Sequence, residues 1–189
     1  MKSLRKIISV FGSSQTVSSD KVYQEAQIAG QCLARLGIEV YSGGYGGIME
    51  AVSLGAFNAG GKTAGVTCDI FGDTPANRYI HQEIKTPTLY SRLETLIESA
   101  DAYLVFPGST GTMAEFLITF EVASKFALSK PILFWGNYWK STVEQVQKLV
   151  NIGDSRIPAH KVQSAEKLQL HFIYDHPALC HSLENYYKE

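Results

Sequence analysis

Ala102-Tyr103-Leu104-Val105-Phe106-Pro107-Gly108-Ser109-Thr110-Gly111-Thr112-Met113-Ala114-Glu115 decides the fold. Its first five residues form a continuous apolar run, the pattern of a strand buried on both faces. Pro107 ends the run, and a loop of small and hydroxylated residues follows. Met113, Phe116, Leu117, Phe120, Ala123 and Ala127 then recur at helical spacing. A buried strand that passes through a glycine loop into a helix is half of a βαβ unit.

The same order repeats on both sides. Upstream, Ile7 to Phe11 reads as a first strand broken by Gly12-Ser13-Ser14. Asp20 is placed to cap a helix with Tyr23, Ala26, Gly30, Leu33 and Ala34 on one face, and Gly37 supplies a left-handed stop. Ile38 to Tyr41 is a second strand. It runs into Ser42-Gly43-Gly44-Tyr45-Gly46-Gly47 and a helix from Ile48. Thr63 to Thr67 is a third strand, and Asp69 to Lys85 reads as an irregular loop with some local helix. Leu89 to Ala100 has helical spacing. Downstream, Pro131 to Phe134 opens a strand and Tyr138 to Val150 is helical. Leu170 to Tyr174 has the pattern of an edge strand, and Pro177 to Tyr187 that of a terminal helix. The alternation predicts an α/β chain: a Rossmann-like, doubly wound, mostly parallel sheet with helices on both faces. No linker or repeat divides it, so residues 1–189 are expected to form a single nucleotide-binding domain.

Composition narrows the function. Seventeen Lys and Arg against eighteen Asp and Glu give a formal net charge of −1, so no bulk positive field exists for nucleic acid or an anionic membrane. No apolar stretch approaches the ~20 residues needed to cross a bilayer. The expected location is the cytoplasm. Cys32, Cys68 and Cys180 are sparse and odd in number, which reads as free thiols in a reducing compartment. His81, His160, His171, His176 and His181 lack metal-ligand spacing, so no metal or other cofactor is expected.

In a doubly wound sheet the ligand sits outside the carboxyl ends of the strands. Three glycine loops fall there, and their candidate phosphate or nucleotide contacts are Gly12, Ser13, Gly43, Gly44, Gly108, Ser109, Thr110, Gly111 and Thr112. The helix after Pro107 offers unpaired N–H groups and the positive end of its dipole, which bind phosphate without a formal charge. A tight turn needing glycine only for geometry is the plainer reading, but it does not require the hydroxyls. The dinucleotide fingerprint and the P-loop lysine are both missing, so a mononucleotide fits better than NAD or ATP. Glu115 follows Thr112 by three residues. Spacing alone favours a capping-box partner; a carboxylate near the helix start, kept ionised by the dipole, is the alternative. Arg92 is either a solvated helix arginine or an anion clamp.

These motifs resemble the LOG (lonely guy) family of cytokinin riboside 5′-monophosphate phosphoribohydrolases, long mislabelled as lysine decarboxylases. The resemblance runs from about Ile7 to Trp135 and more weakly beyond. Family members carry P-G-G-x-G-T-x-x-E, which falls on Pro107 to Glu115; the G-S-S loop falls on Gly12 to Ser14, and the glycine turn into a G-[LI]-M helix on Gly43 to Met49. The resemblance implies Glu115 and Arg92 as catalytic residues, the latter lying nine residues before Asp101. Two positions depart: Ser109 replaces a glycine and Leu93 replaces the lysine of an R-K pair. What the resemblance implies is cleavage of the N-glycosidic bond of a nucleoside 5′-monophosphate, in a homodimer whose partner subunit helps to close the site. Glu121 is a further candidate for contact with base or ribose. The same superfamily also contains carriers of a pterin-type molybdenum cofactor, so a non-catalytic nucleotide or cofactor carrier is the alternative.

Overall fold

A computed structural model describes residues 6–126, 130–150 and 169–188. Seven strands form one sheet in the order β4-β3-β2-β1-β5-β6-β7. They are β1 (Lys6–Phe11), β2 (Ile38–Ser42), β3 (Thr63–Cys68), β4 (Gln82–Thr86), β5 (Ala102–Val105), β6 (Ile132–Trp135) and β7 (Leu170–Ile173). Every neighbouring pair is parallel. The Rossmann-like expectation holds, and its edge-strand reading of Leu170 to Tyr174 holds with it.

Among the described residues, six α-helices cover the sheet: α1 (Lys21–Arg35), α2 (Ile48–Asn58), α3 (Leu89–Glu98), α4 (Thr110–Phe126), α5 (Lys140–Val150) and α6 (His176–Tyr186). One face buries Tyr23, Ala26 and Leu33 of α1, Val52 and Ala56 of α2, and Leu179 and Leu183 of α6 against Ile8, Val10 and Leu104. The other buries Leu96 and Ile97 of α3, Phe116 and Phe120 of α4, and Val143 of α5 against Phe11, Tyr103 and Phe134. Strands buried on both sides need apolar residues at consecutive positions, which is why β5 carries no alternation. Asp101 accepts from the backbone N of Ile7 (2.8 Å), and so sets where β1 meets β5.

Four expectations are corrected. Within residues 69–85 the expected local helix is present as the 3-10 turn Asp69–Phe71, but Gln82–Thr86 is not loop: it is the edge strand β4. Only Ile84 in β4 is apolar, because an edge strand has little to bury, and the helix that normally joins parallel strands is replaced by residues 69–81. Second, α4 begins at Thr110, with Met113 N donating to Ser109 O (3.0 Å). Thr112 is therefore inside the helix and cannot be its N-cap, so the Thr112-Glu115 capping box does not form. A capping box does open α3, between Thr88 and Ser91. Third, Cys32 of α1 and Cys180 of α6 are joined in a disulfide, Cα atoms 6.4 Å apart, across 148 residues of sequence. Only Cys68 is a free, buried thiol. Fourth, Tyr138 precedes α5, which begins at Lys140. His160 lies outside the described residues.

Candidate active site

The three glycine loops are tied together by backbone hydrogen bonds. β1 pairs with β5, bringing Phe11 opposite Val105. Just beyond, Ser13 N donates to Pro107 O (3.1 Å), and Ile48 N donates to Ser13 O (2.9 Å). The loops after β1, β2 and β5 thus form one continuous rim at the carboxyl edge. Its position is the switch point where the chain winds away from β1 on either side, the place where such sheets bind ligands.

The start of α4 stands open on this rim. Ser109, Thr110 and Gly111 are exposed, and a Cβ at Gly111 would meet nothing within 4 Å. Thr112 is different: it is buried and folds back on Gly108, where an added Cβ would overlap its hydroxyl. Gly108 is therefore required by the close approach of Thr112. Tyr138 Oη donates to Gly108 O (3.0 Å), a brace that the sequence did not reveal.

Arg92 is the fourth residue of α3 and is only 6% exposed, so it is no solvated helix arginine. Its Nε donates to Val66 O of β3 (2.8 Å). Its Nη1 lies 3.6 Å from Glu115 Oε1. Its Nη2 lies against Gly43, where any Cβ would overlap it. The guanidinium carbon is 5.8 Å from the ring centroids of both Tyr45 and Phe71. A buried guanidinium needs partners for its charge and its donors, and here three elements and a glycine supply them.

Glu115 is the sixth residue of α4, beyond the first turn where a helix dipole acts most strongly. Burial pushes its carboxyl from an ordinary 4.5 up to about 7, and the Arg92 charge offsets this only in part. The expectation that the dipole keeps it ionised is therefore corrected: near neutral pH it is poised between its two forms. Such a value suits a group that exchanges a proton during reaction.

The structure brings Arg92, Glu115 and Gly43 together, beside Gly44 and the rim that holds Gly12, Ser13, Gly108, Ser109, Thr110, Gly111 and Thr112. Glu121 is not in this cluster. It is exposed on α4, about 9 Å further along the axis than Glu115 and on a different side. Leu93, where the resembling family has lysine, is buried beside Arg92 and faces a groove between α3 and α4. Sequence reasoning missed Asn77: its backbone N donates to Gly44 O (2.7 Å) and its Nδ2 to Gly44 O (3.1 Å) and Tyr45 O (2.9 Å). Only its place in an unusually long loop hinted at a role. Among the described residues no cluster of His, Cys, Asp and Glu could hold a metal ion. No helix among them is long and apolar enough to cross a membrane.

The SLOG cluster4 family profile matches residues 5–164. The chain belongs to the SLOG cluster4 family. This SLOG cluster4 chain is 28% identical over 150 residues to a probable cytokinin riboside 5′-monophosphate phosphoribohydrolase of Oryza sativa subsp. japonica, covering 74% of this chain and 59% of the rice protein. It is 29% identical over 120 residues to a cytokinin riboside 5′-monophosphate phosphoribohydrolase of Rhodococcoides fascians, covering 62% and 59%. The chain thus spans about three fifths of the length of these two relatives. The solved molybdenum cofactor binding protein of Rippkaea orientalis has the same fold, with TM-score 0.74, 21% identity, and coverage of 98% of this chain and 99% of that one.

Proposed function

We propose that this chain hydrolyses the N-glycosidic bond of a nucleoside 5′-monophosphate, releasing free base and ribose 5-phosphate. The observation that carries the reading is the pairing of buried Arg92 with the largely enclosed Glu115 beside the open start of α4. A 5′-phosphate on Ser109, Thr110 and Gly111 would be held by unpaired N–H groups and hydroxyls. The ribose would then face Glu115. As the C1′–N bond breaks, its electron pair leaves with the base and positive charge develops on the ribose. Ionised Glu115 stabilises that charge and accepts a proton from the water that attacks C1′, and that proton passes to the departing base. Arg92 holds Glu115 in place and keeps part of its population ionised. A carboxylate buried beside a phosphate site has no use in simple anion retention, which favours turnover over a carrier role. The names of the rice and Rhodococcoides relatives support the same chemistry.

A homodimer belongs to the same reading. The dimer has support from a groove of about 700 Å³ between α3 and α4, lined by Tyr90, Leu93, Ile97, Ile118 and Val122. The two helices that carry Arg92 and Glu115 would then meet a second copy.

Incubation of the protein with a panel of nucleoside 5′-monophosphates, with free base read by chromatography, tests the proposal. Base release by the wild type and none by Glu115→Gln, with nucleotide binding retained, is the expected result. Binding without release from any nucleotide would overturn it in favour of a carrier.

A further inference from the structure

The 3-10 turn after β3 exposes side chains that the fold does not need outside. Ile70 is 67% and Phe71 46% exposed, and neither belongs to a core cluster. Phe71 is nonetheless fixed. Its ring makes a T-shaped contact with that of Tyr45, with centroids 5.4 Å apart and planes at 79°. Tyr45 is fixed in turn, because its Oη accepts from Cys68 N (3.0 Å). Asn77 binds the carbonyls of Gly44 and Tyr45, holding the rest of the connection against the same loop.

Arg92 is the common neighbour. Glu115 lies at one nitrogen of its guanidinium, and the rings of Tyr45 and Phe71 flank its carbon. Three other neighbours offer little surface to a ligand: Val66 supplies a buried carbonyl oxygen, Gly43 has no side chain and Met49 is buried. A ribose at Glu115 with its phosphate on α4 must extend its base away from both. Phe71 is the half-exposed planar group bordering Arg92, and a base presents a planar π-face whatever its edge substituents.

We propose that Phe71, seated on Tyr45, is the stacking platform for the nucleobase, so that the base is recognised through its face. This rests on the reading of Arg92 and Glu115 as the ribose site. Phe71 is then a binding and specificity residue contributed by the connection between β3 and β4.

Calorimetry with two probes tests it. Carbocyclic AMP has a base but no glycosidic acetal to cleave, and ribose 5-phosphate has no base. Phe71→Ala should weaken carbocyclic AMP about tenfold and leave ribose 5-phosphate unchanged, with the melting temperature unaltered. Phe71→Tyr should restore the affinity, whereas Phe71→Leu, which keeps apolar bulk but no ring face, should not. Unchanged carbocyclic AMP binding by Phe71→Ala overturns the inference alone. Equal weakening of both probes also overturns it, by making Phe71 a cover over Arg92. A wild type that binds neither probe removes the ribose site, and this inference with it.

Discussion

Glu115 and Arg92 oppose each other at the residue scale. Desolvation disfavours the carboxylate while the guanidinium favours it, and desolvation wins, leaving the carboxyl at about 7. If the ionised form acts on ribose and water, kcat/KM should rise about tenfold per pH unit below 7 and level off above it. A pH–rate profile flat across that range would remove Glu115 from the chemistry. Stability changes in the same window. The folded state holds the Glu115 proton more tightly than the unfolded chain, so the residue favours folding below its ordinary 4.5, and that contribution is lost as pH rises through about 7. Denaturation curves of Glu115→Gln should lack this part of the pH dependence. Gly43 is the second point of control. A Cβ there would displace the guanidinium, so Gly43→Ala should lower kcat/KM by more than about tenfold and cost about 1–3 kcal/mol in stability. Spacing left Arg92 and Glu115 open and only the family resemblance singled them out; their meeting across α3 and α4 was not legible. Spacing along one helix carries no information about a partner on another, and a helix arginine reads as solvated until β3 supplies the carbonyl that its Nε needs.

At the element scale, the legible parts were those with strong periodicity. β1, β2, β3 and β5 announce themselves by apolar runs, and α1 by its stripe and its terminal Gly37, where φ is +72°. β4 does not, because its exposed positions carry Gln82, Glu83 and Lys85 and its pairing depends on β3 already being in place. The connection before it has no helix and no core of its own. Its fixed point is Asn77, whose Oδ1 also accepts from Tyr79 N (3.1 Å). Asn77→Ala would remove three side-chain bonds, taking the Asn77 donor from Tyr45 O while Gly44 O keeps the bond from the residue-77 backbone N. The expected cost is about 1–3 kcal/mol, felt locally: protease cleavage within residues 69–81 should accelerate while the sheet persists. Cleavage at the wild-type rate would show that the backbone bond from Asn77 N to Gly44 O holds the connection unaided.

Across the whole molecule, the parallel, doubly wound architecture followed from the alternation of strands and helices, whereas the covalent link between α1 and α6 did not follow from anything in the sequence. Cys32 and Cys180 are 148 residues apart, and an odd number of scattered cysteines gives no spacing to read. They meet because α1 and α6 share one face of the sheet, where Leu33 and Leu183 enter the same core. The expectation of a reducing compartment rested on three free thiols, and two of the three no longer support it. A crosslink closing so long a loop restricts the unfolded chain, and its removal typically costs about 2–5 kcal/mol. Alkylation of protein denatured without reductant should therefore label Cys68 alone, and alkylation after reduction all three. Reductant should lower the melting temperature of the wild type and leave unchanged that of a variant carrying both Cys32→Ser and Cys180→Ser. Labelling of three thiols before reduction would mean that helix packing alone holds α6 to α1, through Leu179 and Leu183, and the double variant would then melt close to the wild type.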